Sequence, residues 1–204
     1  MASHLENTIA KLQSGFAVTI VALGDSLTSG WMVARGYTDF LRDMLLIRFP
    51  KADVRLINSG IPGDTAPGGL YRLQQDALSY RPDCVLVQFA LNDAFCGSSL
   101  AEYSRSIEAI VERIRQESSA EVLLLTSTLP ADASELDVVA PFYAELKQIA
   151  EDCACAIAAV DEHWRASIAG GTPHDSLVLY DRVHPSEAGY RLMAEAIMAC
   201  LGGC

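Results

Sequence analysis

The chain lacks any long uninterrupted apolar run, and it has few basic residues for its length. No stretch approaches the roughly 18 apolar residues that a membrane-spanning helix needs, so we expect no membrane insertion. Lysines and arginines number 15 against 26 aspartates and glutamates, which gives a formal net charge of −11. Such a chain is repelled by nucleic acid and by anionic membranes. We therefore expect a small-molecule ligand and no nucleic-acid partner.

The N-terminal segment has neither the basic region nor the apolar core of a signal peptide. This favours a cytoplasmic location, where the six cysteines would stay reduced. Cys153 and Cys155 form Cys-x-Cys without a histidine at zinc-finger spacing, and Cys200 and Cys204 lie at the C-terminal end, where we expect exposure. The cysteine pattern predicts no metal site. No lysine follows Gly24 as a phosphate-binding loop would require, so we expect no cofactor.

Short apolar runs alternate with longer amphipathic stretches along the chain. The runs predict strands, which their near-continuous apolar character indicates are buried on both faces; they cover 18–23, 54–57, 85–89, 122–125 and 157–160. Helices are expected between them, including one that starts at the capping box 99–102, and others over 37–49, 69–80, 138–152 and 186–201. Pro141 fits only the first turn of its helix.

Repeated strand–helix–strand order predicts an α/β fold, a three-layer α/β/α sandwich around a five-stranded parallel sheet. No internal repeat or linker divides the sequence, so we expect a single domain over 1–204. Ligands of such folds bind beyond the carboxyl ends of the strands. Four segments rich in polar residues or glycine are expected at that edge: 24–30, 58–65, 91–95 and 181–190.

These segments hold the groups that acyl transfer from an ester requires: a hydroxyl, a base and a group that orients the base. Ser26 in GDSLTSG supplies the hydroxyl. His184 is the favoured base because Asp181, three residues earlier, reaches its ring within a single turn. His174, next to Asp175, is the alternative base, since geometry decides between them.

The tetrahedral intermediate of acyl transfer also needs hydrogen-bond donors for its oxyanion. Gly63 lets its backbone N–H approach a carbonyl without a Cβ, and Asn92 offers a neutral side-chain N–H. Both residues also suit ordinary turns. The Gly-x-Ser-x-Gly elbow of α/β-hydrolases is absent, because 24–28 reads GDSLT.

GDSLTSG, the Gly-Asp-Thr of NSGIPGDT, the Asn-Asp at 92–93 and DRVHPSEAGY resemble, in this order, the motifs of the GDSL esterases, also called SGNH hydrolases. The resemblance implies a flavodoxin-like sandwich that hydrolyses esters or thioesters without a metal. It gives Ser26 the role of nucleophile and His184 and Asp181 those of base and orienting group. The Ser26 N–H, Gly63 and Asn92 would form the oxyanion hole. One departure is Ala90, where the family usually has glycine.

We expect a serine esterase for small or short-chain acyl esters. A carbohydrate deacetylase, a thioesterase and a lysophospholipase are alternatives within the family. A non-catalytic ligand-binding protein on the same fold is another, and the net charge and missing lysine disfavour a nucleotide binder. The segment 128–143 borders the acyl side or is a plain loop leading into a helix, and the loop 94–99 is expected to line the site with Cys96 as a wall residue. The sequence leaves the oligomeric state open.

Overall fold

A computed structural model describes residues 4–202, so Cys204 lies outside the described part. Five parallel strands form one sheet in the order β2-β1-β3-β4-β5. Helices α3, α8 and α10 pack together, and helices α4, α6 and α7 form a second group. The expected α/β/α sandwich with a five-stranded parallel sheet is confirmed.

The strands are β1 (Ala17–Gly24), β2 (Asp53–Gly60), β3 (Cys84–Gln88), β4 (Glu121–Leu125) and β5 (Ala156–Ala158). The helices are α1 (Glu6–Ser14), α2 (Ser26–Ser29), α3 (Tyr37–Arg48), α4 (Ala66–Asp76), α5 (Leu91–Phe95), α6 (Leu100–Glu117), α7 (Ala133–Asp152), α8 (Val160–Ala169), α9 (His174–Leu177) and α10 (Glu187–Cys200). A 3₁₀ turn, Leu78–Tyr80, follows α4.

Burial on both faces holds for the central strands and not for the edges. Every residue of β3 is buried, and so are most residues of β1 and β4. Edge strand β2 has no fully buried residue and alternates between half-buried and exposed positions over its first half. A strand is present there, but the expectation that 54–57 is buried on both faces was wrong: β2 lies at the edge of the sheet and, among the described strands, pairs with β1 alone.

The helix expected over 138–152 begins earlier, at Ala133, and contains Pro141 in its interior. Asp132 caps this helix, because its carboxylate accepts the Ser134 N–H at 2.7 Å. The restriction of Pro141 to a first turn was wrong. Proline removes one backbone hydrogen bond, but the buried face of α7, which includes Phe142 and Leu146, keeps the helix continuous.

Other bounds also differ from the sequence prediction. The helix expected over 69–80 starts at Ala66 and is replaced by the 3₁₀ turn after Asp76. Val160 belongs to α8 and not to β5. Within residues 4–202, no helix has the length and apolar character needed to cross a membrane.

Ala90, between β3 and α5, has an unusual backbone conformation for a residue with a side chain. Its φ is 153° and its ψ is −43°, and the residue is fully buried. Glycine reaches positive φ without the steric cost that a Cβ imposes. The resemblance places a glycine here, and the conformation gives the physical reason.

Replacing Ala90 with glycine should stabilise the protein. The substitution relieves about 1–3 kcal/mol of backbone strain. Glycine also makes the unfolded chain more flexible, which destabilises the folded state by about 0.4–1 kcal/mol. The relief of strain is the larger effect, so the free energy of unfolding should increase. In a chain of this length we expect the Tm of Ala90→Gly to rise by roughly 2–4 °C per kcal/mol gained, measured by calorimetry.

Ala94→Gly is the matched control, because Ala94 is buried in α5, the short helix that follows Ala90, and has no positive φ. Glycine at a helical position should lower the Tm. Equal decreases for both variants would show that Ala90 carries no strain.

Candidate active site

Ser26 is the first residue of α2 and follows the end of β1. Asp25 caps α2, since its carboxylate accepts the Leu27 N–H at 2.8 Å. Gly24 permits this sharp strand-to-helix turn, because a Cβ there would lie 2.2 Å from the Thr28 hydroxyl and 2.7 Å from the Gln88 carbonyl. Ser26 is buried, with 6% of its surface exposed.

A hydrogen-bonded chain connects Ser26 to the loop before α10. The Ser26 Oγ lies 2.9 Å from His184 Nε2, and His184 Nδ1 lies 2.7 Å from Asp181 Oδ2. Asp181 Oδ1 accepts the backbone N–H groups of Val183 and His184 at 3.0 and 2.9 Å. The structure thus brings together three of the residues that the sequence singled out.

The surroundings of Asp181 keep its carboxyl group ionised. Partial burial raises its pKa, but the His184 and Val183 backbone N–H groups and the His184 ring outweigh that effect and hold the pKa below its ordinary value. An ionised carboxylate accepts a hydrogen bond from Nδ1 and leaves Nε2 free to take a proton.

His174 lies apart from this chain. Its Nε2 is 2.8 Å from the Leu129 carbonyl, and its ring centroid is 6.4 Å from that of Trp164. His174 therefore packs beneath the loop after β4. It does not contact Ser26, and so the structure does not support it as the alternative base.

Asp64 connects Gly63 and Asn92, because it follows Gly63 in the chain and accepts a hydrogen bond from Asn92. The Asp64 N–H donates to the Ile61 carbonyl at 3.1 Å and closes a turn in which Gly63 has a φ of 81°. Asn92 Nδ2 donates to the Asp64 carbonyl at 2.8 Å, and its second N–H stays available. Among the described residues, the backbone N–H groups of Ser26 and Gly63 have no hydrogen-bond acceptor.

A cavity of about 330 Å³ opens beside this chain. Its lining combines apolar side chains with the polar groups described above and one further carboxylate: Ser26, Leu27, Leu91, Asn92, Phe95, Glu135, Asp181, Val183 and His184. Segment 128–143 therefore borders the cavity through Glu135 of α7. The loop 94–99 contributes Phe95 to the lining. Cys96, which was expected there, is exposed to solvent and does not line the cavity. Gly63 also lies outside the lining.

A buried polar network lies behind Ser26. Gln88 Nε2 donates to Ser127 Oγ at 2.7 Å and to Asp25 Oδ2 at 3.2 Å, and Gln88 Oε1 accepts from Thr28 Oγ1 at 2.8 Å. Burial raises the pKa of Asp25 to about 7, although the Leu27 N–H and Gln88 oppose the shift. The network fixes the turn that carries Ser26.

Sequence reasoning missed Gln88 and Glu135, and also Arg72 of α4, whose Nη2 donates to the Gly24 carbonyl at 2.9 Å. A single amide inside the apolar run CVLVQF was a usable signal for Gln88, since buried polar side chains need partners. No sequence signal separated Arg72 or Glu135 from the other charged residues of their helices.

Among the described residues, no group of three or more histidine, cysteine, aspartate or glutamate side chains is placed to hold a metal ion. A serine–histidine–aspartate chain at the carboxyl edge of a parallel sheet defines the class of serine hydrolases.

Residues 22–192 match the model of the family described as GDSL-like Lipase/Acylhydrolase, and the chain belongs to that family. The resemblance seen in the sequence motifs is thereby confirmed, and with it the activity class of an ester hydrolase.

Several relatives carry esterase names. An acetylxylan esterase from Geobacillus stearothermophilus is 23% identical over 94% of this chain and 97% of its own length. Esterase TesA from Pseudomonas aeruginosa is 31% identical over 58% of each chain. The crystal structure of Axe2, an acetylxylan esterase from Geobacillus stearothermophilus, matches with a TM-score of 0.79, 22% identity and coverage of 91% of this chain and 94% of that one. The structural likeness supports the fold.

The raised pKa of Asp25 predicts a pH-dependent stability. Between about pH 4 and 7 the folded state retains a proton that the unfolded chain has lost, so the free energy of unfolding should fall as pH rises. The fall is expected to be on the order of 3 kcal/mol. In Asp25→Asn this component should disappear, which denaturant titrations at pH 5, 6 and 7 will show as a shallower slope.

Asp53→Asn is the control, because Asp53 is an exposed carboxyl at the start of edge strand β2. Its slope should equal that of the wild type. Parallel slopes for wild type and Asp25→Asn would mean that Asp25 is ionised throughout this range.

Proposed function

We propose that the chain hydrolyses small, uncharged acyl esters through an acyl-enzyme intermediate on Ser26. The single observation that carries the proposal is the continuous hydrogen-bonded chain from Ser26 Oγ through the His184 ring to Asp181. A nucleophile, its base and the group that orients the base are thereby in contact before any substrate binds.

In the first half-reaction, His184 Nε2 takes the hydroxyl proton as Ser26 Oγ bonds to the ester carbonyl carbon. The carbonyl electron pair moves to oxygen and forms the oxyanion. When that pair returns, the bond to the alcohol oxygen breaks, and the alcohol leaves with the proton from His184. Asp181 stabilises the imidazolium that exists between these steps.

In the second half-reaction, water attacks the acyl-serine carbonyl and gives a proton to His184. Collapse of the second tetrahedral intermediate breaks the Ser26 Oγ–carbon bond, and the serine oxygen recovers its proton from His184. The acid product is released. The N–H groups of Ser26, Gly63 and Asn92 donate to both oxyanions. In support, among the described residues the first two have no acceptor, and Asn92 has a second N–H that is not engaged.

The size and lining of the cavity support a small acyl group. About 330 Å³ lies at the lower end of the range for small-molecule sites. Leu27, Leu91, Phe95 and Val183 give it an apolar wall suited to an alkyl chain.

Acetyl esters of carbohydrates are a second candidate, favoured by similarity over nearly the full length to an acetylxylan esterase. An exposed indole supports it as well, since the Trp31 ring centroid lies 6.5 Å from that of His184 at the edge of the site.

We also propose that the chain works as one domain in the cytoplasm. The family match spans most of its length, and its five described cysteines are free thiols, as reducing surroundings favour.

Ser26→Ala tests the proposal with 4-nitrophenyl esters from acetate to decanoate. Loss of the nucleophile should lower kcat by about 10⁶-fold. Asn92→Ala should lower kcat by about 10²- to 10³-fold, since one oxyanion donor is lost. Ser119→Ala, at an exposed serine, is the control and should retain full activity. Turnover by Ser26→Ala would refute the assignment of the nucleophile.

A fluorophosphonate probe covers the case in which none of these esters reacts. Labelling of the wild type and not of Ser26→Ala would show an active serine with a more demanding substrate. Absence of labelling in both would favour the non-catalytic ligand-binding protein.

Glu135 should set the charge preference of the cavity. Its carboxylate lines the cavity, and among the described residues no hydrogen bond or ion pair engages that carboxylate. A carboxylate at close range repels an anionic acyl chain by about 1 kcal/mol or more. Glu135→Gln should therefore raise kcat/KM for the 4-nitrophenyl monoester of glutaric acid about 3- to 30-fold relative to that for 4-nitrophenyl butyrate.

The control for this measurement is Asp137→Asn, an exposed carboxylate on the same helix that does not line the cavity. It should leave the ratio near its wild-type value, and added salt should weaken the discrimination of the wild type. An unchanged ratio in Glu135→Gln would exclude Glu135 as the source of selectivity.

A further inference from the structure

Arg72 of α4 makes four polar contacts within the described part of the chain, although it does not line the cavity. Its side chain is 11% exposed. Nε donates to the Asp64 carboxylate at 2.7 Å, and Nη1 donates to the Asp76 carboxylate at 3.1 Å. Nη1 also donates to the Ser59 carbonyl at 2.7 Å, and Nη2 donates to the Gly24 carbonyl at 2.9 Å.

Two of these contacts are carbonyls near the carboxyl ends of adjacent strands. Gly24 ends β1, two residues before Ser26, and Ser59 is the penultimate residue of β2. The Gly24 carbonyl also accepts the Ile61 N–H at 3.0 Å. The guanidinium therefore joins the strand that leads to Ser26 to the segment that leads to Gly63.

The contact with Asp64 extends this connection to the other two oxyanion donors. The Asp64 N–H closes the turn that contains Gly63, and the Asp64 carbonyl accepts from Asn92 Nδ2. The Asp64 carboxylate, held by Arg72, is the third polar group of the same residue. A shift of Asp64 would displace the Gly63 N–H and the Asn92 amide together.

We propose that Arg72 is a positioning residue that sets the distances among the three oxyanion donors through Asp64 and Gly24. The inference rests on the proposed function, because it concerns the same donors. Arginine suits this task because its planar guanidinium carries five N–H donors in a rigid fork, whereas lysine offers one ammonium group on a flexible stem. Arg72 does not line the cavity and is not itself a catalytic residue.

Loss of Arg72 should affect the chemical step more than substrate binding. A displacement of about 1 Å in a catalytic group costs up to about 10²-fold in rate. We expect Arg72→Ala to lower kcat for 4-nitrophenyl acetate by about 10- to 100-fold and to change KM by less than about threefold. Arg42→Ala is the matched control, since Arg42 is half-exposed on α3 and, within residues 4–202, forms ion pairs with nearby Asp39 and Asp43 alone.

A double-mutant cycle separates positioning from general destabilisation. If Arg72 acts through the donors, Arg72→Ala should cost clearly less in an Asn92→Ala background than in the wild type. Purely additive losses would overturn the proposal. All rates are compared at a temperature well below the Tm of every variant.

Arg72→Lys keeps the inference testable if Arg72→Ala does not fold. Lysine retains the charge but cannot span Asp64 and Gly24 together, so a kcat between those of wild type and Arg72→Ala is expected. Ethylguanidinium should restore part of the lost kcat to Arg72→Ala and leave Arg42→Ala unchanged. A wild-type kcat in Arg72→Lys, or in Arg72→Ala, would exclude the positioning role.

The proposed function and the positioning role of Arg72 are tested separately. If Ser26→Ala retains activity, the proposed function is wrong. If Ser26→Ala is inactive while Arg72→Ala keeps the wild-type kcat, only the positioning role is wrong.

Discussion

The hydrogen bond between Ser26 and His184 joins residues 158 positions apart, and the fold has to bring their segments together within 2.9 Å. Ser26 follows β1, which has a neighbour on each side in the sheet. His184 precedes α10, which packs against α3 and α8. The loop that carries His184 is fixed by a hydrogen bond in which the Leu179 N–H donates to the His184 carbonyl at 2.7 Å. The geometry of the site thus depends on packing between the two ends of the chain.

Near this hydrogen bond, the pKa values of aspartate carboxyl groups differ with their surroundings. Asp181 receives two backbone N–H groups and faces an imidazole, and its pKa lies below the ordinary value. Burial dominates at Asp25 and Asp93 and raises their pKa values to about 7 and about 6. The Asp64 carboxylate forms an ion pair with Arg72 Nε at 2.7 Å. The surroundings, and not the residue type, therefore decide which aspartate stays ionised beside the His184 ring and which ones hold a proton more readily.

Much of this arrangement was predictable from the sequence. The alternation of apolar runs and amphipathic stretches predicted the parallel sheet, because strands that helices cover on both sides are apolar on both faces. Asp181 and His184 were suggested by their spacing, since three residues suffice to form one turn. The contacts of Arg72 and Gln88 were not predictable, because each joins segments that approach only after the sheet forms. Pro141 was misplaced because packing of α7 overrides the local preference of proline.

Ala90 and Asp64 constrain Asn92 from two directions. The backbone of Ala90, at a φ of 153°, sets the direction in which α5 leaves the sheet two residues before Asn92. The Asp64 carbonyl then fixes the rotation of the Asn92 amide. Backbone strain at Ala90 persists because β3 on one side and the first turn of α5 on the other determine the chain path. The strain therefore lowers stability, whereas the contact with Asp64 governs the aim of one N–H. Ala90 therefore affects both the stability of the protein and the direction of α5, whereas the hydrogen bond to the Asp64 carbonyl fixes the rotation of the Asn92 amide.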